Sequence, residues 1–65
     1  MVIVNGQAES GIVGQTITEF LTKREAPLEN IVVERNGDIV HRADFDVTLV
    51  AENDKIELIS FVGGG

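Results

Sequence analysis

The sequence predicts a single α+β domain in which a mixed sheet of four to five strands packs on one main helix. Three observations point there. The chain has 65 residues, 43% of them hydrophobic, which is enough for one small core and too many for a disordered segment. Asn5-Gly6 and Asn36-Gly37 each follow an apolar, β-branched run, as hairpin turns do. One stretch alone combines helical apolar spacing with an N-terminal cap, so a single helix has to cover the sheet.

The elements follow in order. Met1 to Val4 is apolar and β-branched and reads as a strand, with Val2 and Val4 placed inward. Asn5-Gly6 suits a type I′ turn, which needs positive φ at both central residues. The return strand, Gln7 to Ile12, is weak and interrupted by Gly11, and Gly14 closes it. Thr16 with Glu19 three residues on is a capping box. Ile17, Phe20 and Leu21 then form one apolar face, and Lys23 and Arg24 suit the negative end of the dipole. Pro27 forbids continuation, so the helix runs from Ile17 to Arg24.

Ile31, Val32 and Val33 open a third strand, Asn36-Gly37 turns it, and Asp38 to Val40 return. His41 to Val50 is irregular, with Phe45 as an anchor and Val47 to Val50 as a short strand or a connection. Asn53-Asp54 is a third tight turn, and Lys55 to Phe61 is the longest strand candidate. Alternation along it groups Ile56 with Leu58 toward the helix and Glu57, Ile59 and Phe61 on the opposite face. The first and last strands are among the most apolar, which suits the centre of a mixed sheet. The order β, β, α, β, short β, β describes a β-grasp, or ubiquitin-like, domain over residues 1–61, with residues 62–65 as a tail.

Composition narrows the function. Five Lys and Arg against eleven Asp and Glu give a formal charge of −6, which argues against nucleic acid and against an anionic membrane surface. Cysteine is absent, which removes disulfides, thiolate zinc sites and a cysteine nucleophile. With no secretory signal at Met1 to Val4, a cytoplasmic location is expected. His41 is the one histidine, and its spacing to Ser10 or Ser60 supports no triad. Asp38, Asp44, Asp46, Glu52, Asp54 and Glu57 do not match a calcium loop. They read as a solvated acidic face, or as a surface complementary to a basic partner. No glycine pattern forms a phosphate loop.

Gly63, Gly64 and Gly65 are three of the seven glycines and end the sequence directly after a strand. The expectation is an extended, flexible thread, with Val62 to Gly65 reaching about 13 Å at ~3.3 Å per residue. Glycine has no Cβ, so such a thread enters a channel too narrow for other residues. Beside it, Ile59 and Phe61 would leave an apolar patch on the open face, together with Val62 and Gly63 a surface for a partner.

These residues resemble the ThiS family, the small sulfur carrier proteins of thiamin biosynthesis. More distantly they resemble the small subunit of molybdopterin synthase and ubiquitin. Val33-Glu34-Arg35-Asn36-Gly37-Asp38-Ile39-Val40-His41-Arg42 is similar to the family stretch V-E-x-N-G-E-I-V-P-R. Val50 to Leu58 is similar to L-x-D-G-D-x-I-E-I, and Val62-Gly63-Gly64-Gly65 to the terminal V-x-G-G. Phe45 stands where an aromatic residue is usual, His41 replaces a common Pro, and Asn53 a common Gly. The resemblance implies a protein co-substrate and not an enzyme. Gly65, preceded by Gly64, would be adenylated by an ATP-dependent activating enzyme and converted to a thiocarboxylate by a persulfide sulfur donor. The sulfur would pass to thiazole synthase. ATP and magnesium would belong to the activating enzyme, and this chain would bind no cofactor or metal. A molybdopterin synthase small subunit, a carrier for another sulfur pathway, and an interaction module without chemistry at its end are the alternatives.

Overall fold

The computed structural model describes residues 1–61. Strands β1 (Val2–Val4) and β2 (Gln7–Glu9) precede the helix α1 (Ile17–Lys23), and β3 (Ile31–Arg35), β4 (Asp38–Val40) and β5 (Lys55–Ser60) follow it. Single 3-10 turns occupy Leu28–Asn30 and Arg42–Asp44. The strands form one five-stranded sheet in the order β2-β1-β5-β3-β4. β5 lies parallel to β1 and antiparallel to β3, and both hairpins are antiparallel. This is the expected β-grasp arrangement, with the first and last strands side by side in the middle.

The core lies between the sheet and α1. Val2, Val4, Val33 and Ile56 supply the sheet side, and Ile17, Phe20 and Leu21 the helix side. Phe45 and Val50, from the β4–β5 connection, close one edge. Burying each large side chain removes it from water, worth about 1.5–3 kcal/mol apiece. Val2 and Val4 point inward as expected, which leaves Ile3 half-buried opposite Ala8 and Lys55.

Both Asn-Gly turns have the positive φ they were expected to need: 51° and 83° at Asn5 and Gly6, 54° and 90° at Asn36 and Gly37. Their side chains do more than turn the chain. Asn5 Oδ1 accepts the amide of Leu58 (2.8 Å), and Asn36 Oδ1 accepts that of Lys55 (2.9 Å), so each hairpin turn is tied to β5.

Some boundaries differ from the sequence reading: β1 begins at Val2 and β5 ends at Ser60, each one residue inside the expected strand. β2 stops at Glu9, because Gly11 takes φ 81° and breaks the ladder, and Ile12 then packs against the core from a loop. α1 ends at Lys23, and Arg24 is its C-cap. There Arg24 makes a forked pair with Glu9 (3.1 and 2.9 Å) and covers the Phe20 ring 4.7 Å from its centroid, joining helix to β2. Of the two alternatives for Val47 to Val50 the structure takes the connection, with one isolated bridge, Thr16 to Leu49.

That connection has a specific task. Thr48 O and Phe45 O accept the amides of Ile17 (2.9 Å) and Thr18 (3.2 Å). Thr16 Oγ1 accepts that of Glu19 (3.0 Å), and Glu19 Oε1 accepts that of Thr16 (2.8 Å), which completes the capping box. The helix N-terminus is thereby saturated by the protein's own carbonyls and hydroxyl. No helix among the described residues is long and apolar enough to cross a membrane.

Candidate functional site

The site is built on the face of the sheet that α1 leaves uncovered. Alternation fixes which residues point there. Val33 and Ile56 face the core, so Val32 and Glu34 on β3, and Glu57 and Ile59 on β5, face outward. Ile59 lies opposite Val32, Glu57 opposite Glu34, and Glu34 in turn opposite Ile39 on β4.

Ile59 is 49% exposed and Phe61 51%. The amide of Phe61 donates to Asn30 O (2.9 Å), which carries the strand one residue beyond Ser60 and keeps Phe61 in step with Ile59. The connection from His41 to Val50 runs to the helix N-terminus, so it leaves this face open. Ile39, 57% exposed, adds a third apolar side chain across the sheet. Leu58 turns the other way and packs against the core beside Ile56.

Phe61 ends the described chain at the rim of the sheet beside Asn30. The expected site residues Val62, Gly63, Gly64 and Gly65 lie outside the described residues.

Other candidates come apart. Ser10 follows one edge strand, β2, and His41 follows the opposite edge strand, β4. His41 and Ser60 are exposed, and among the described residues neither enters a side-chain hydrogen bond. Among the described residues no three His, Cys, Asp or Glu side chains are grouped to hold a metal ion.

The acidic face needs one correction. Asp54 does not belong to it. It is 4% exposed and accepts the Ala51 amide (2.8 Å), Arg35 Nε (2.7 Å) and Asn36 Nδ2 (2.9 Å). It fastens the β3–β4 turn to the start of β5 and is unavailable to any partner. Asp38, Asp44, Asp46 and Glu52 are exposed.

Residues that the sequence reading did not single out for the open face are Val32, Glu34 and Ile39. The turn at Asn36-Gly37 fixes Glu34 opposite Ile39, so that pair was within reach of the sequence. The pairing of Glu34 with Glu57 depends on how β3 meets β5 across a long connection, which no local pattern encodes.

Comparison with known proteins agrees with this fold. The model of the ThiS family matches residues 2–65. A thiazole synthase of Magnetococcus marinus is 32% identical over 62 residues, 95% of this chain but 19% of that protein, so the chain spans about a fifth of that relative's length. The sulfur carrier protein ThiS of Bacillus subtilis is 32% identical over 50 residues, 77% of this chain and 76% of that one. The crystal structure of the thiamine biosynthesis protein ThiS of Geobacter metallireducens, 36% identical, superposes with a TM-score of 0.79 over 98% of this chain and 97% of its own.

Proposed function

The chain belongs to the ThiS family, and from that premise we propose that it is a sulfur carrier of thiamin biosynthesis whose working group is the carboxylate of Gly65. The observation that supports this most is the reach of the family match, which runs from residue 2 through the three glycines to residue 65. A carrier needs a folded body for recognition and a slim end for chemistry. Ile59 and Phe61 on the open face, with Val62 and Gly63 beyond them, form the docking surface for the enzyme that activates the chain. Gly64 and Gly65 enter its active site.

The chemistry is acyl activation. The Gly65 carboxylate attacks the α-phosphorus of ATP, pyrophosphate leaves, and an acyl-adenylate forms in the activating enzyme, which holds the nucleotide and its magnesium. A persulfide sulfur then displaces AMP at the carbonyl carbon. A thiol reductant cleaves the remaining S–S bond, which leaves a thiocarboxylate. The chain supplies the acyl group and no catalytic side chain, which accords with a composition lacking cysteine and carrying one histidine. The acceptor is thiazole synthase, a reading supported by the relative of that name in which a segment resembles 95% of this chain. The same likenesses weigh for thiamin over molybdopterin synthesis.

Intact-mass analysis tests the proposal. The chain is incubated with the activating enzyme, ATP, magnesium, a persulfide donor and a thiol reductant. The expected result is a mass gain of one oxygen-to-sulfur exchange, mapped to Gly65, and its disappearance when Gly64 and Gly65 are deleted. An unchanged mass with a demonstrably active enzyme overturns the carrier reading in favour of a non-covalent interaction module.

A further inference from the structure

We infer that the open face of the sheet reads a basic side chain, an arginine set among apolar neighbours, on the surface of a protein partner. The inference rests on the carrier reading for the partner's identity and goes beyond it in naming what the partner presents.

Glu34 and Glu57 are direct cross-strand partners on neighbouring antiparallel strands, and both point to the open face. At such positions the Cβ atoms lie about 5 Å apart, where opposite charges attract and like charges destabilise the sheet. Both side chains are only half-exposed. Among the described residues neither carboxylate has an ion-pair partner; the ion pairs there use Glu52, Glu9 and Asp54. Lys55 shares their face but pairs with neither. The fold therefore sets two carboxylate side chains at facing positions with no ion-pair partner of its own for either among the described residues.

Their surroundings say what would neutralise them. Ile39 lies across from Glu34, Ile59 is two residues along from Glu57, and Val32 lies across from Ile59. A partner that covers these apolar side chains removes water from the carboxylates as well, and burying them unpaired would be costly. A guanidinium between them offsets that cost. Its planar fork serves two carboxylates at once, and it is more weakly hydrated than an ammonium. A second copy of this chain docking face to face would bring two more carboxylates onto the same patch, so the charges favour a basic partner over a symmetric dimer. The formal charge of −6 adds long-range steering toward a basic surface.

The test is calorimetric titration of the full chain into the activating enzyme and, separately, into thiazole synthase, at two salt concentrations. Glu34→Gln and Glu57→Gln should each weaken binding to at least one of them roughly tenfold and flatten its salt dependence. The exposed Glu29→Gln, off this face, serves as the control and should change neither. Both face variants should unfold at or above the wild-type temperature, because a repulsion has been removed. If the wild type binds and the two variants bind equally well with the same salt dependence, this inference falls and the carrier reading stands. If the wild type binds neither enzyme, both fall. A wild-type dimer that the double variant strengthens would also overturn it, since the face would then serve a second copy.

Discussion

At the scale of single residues, Asp54 ties acid stability to the architecture. Burial pushes its carboxyl up, but the Ala51 amide, the Arg35 guanidinium and the Asn36 amide together pull it below its ordinary value. A group depressed in the folded state contributes stability that is complete above its unfolded value, about 4, and is lost as pH falls through the lower folded value. Acid unfolding of the wild type should therefore contain a component below pH ~4 that Asp54→Asn abolishes, read by circular dichroism against pH. Asp54→Ala should cost roughly 1–3 kcal/mol at neutral pH in urea titrations, because it removes three hydrogen bonds at once, one of them from the Arg35 guanidinium. None of this was legible in the sequence, where Asp54 read as a turn residue on an acidic face. Its side-chain partners Arg35 and Asn36 stand 19 and 18 residues away.

At the scale of elements, the two ends of α1 differ in how openly the sequence declares them. The start is legible because Thr16 and Glu19 form their capping box within one turn. The end is not. The amides of Glu25 and Ala26 bond back to Thr22 O and Leu21 O, both at 3.0 Å, which is the Schellman closure. It requires a left-handed residue, and Glu25 takes φ 57° where glycine is usual. An exposed glutamate advertises no such role. Glu25→Gly should therefore raise stability by roughly 0.5–1 kcal/mol, measured by thermal unfolding, even though glycine weakens helices elsewhere. The hairpins were legible through Asn5-Gly6 and Asn36-Gly37, but the bonds from those asparagines to β5 were not, since they join distant segments.

At the scale of the molecule, one face of the sheet is spent on the core and the other is free. Strand alternation was enough to place Ile59 and Phe61 on the free face, and both are half-exposed there. Ile59→Asp or Phe61→Asp should weaken the complex with the activating enzyme at least tenfold while shifting stability by no more than about 0.5 kcal/mol, checked by binding titration beside thermal unfolding. The central pairing of β1 with β5 bears on the molecule's history as well as its surface. β5 is the shared neighbour of the two hairpins, and it follows both of them in the chain. Each hairpin pairs locally, and the two are joined in one sheet only through Lys55 to Ser60 between them. Folding is then a closing event between distant segments, because neither hairpin is joined to the other until β5 pairs with both β1 and β3.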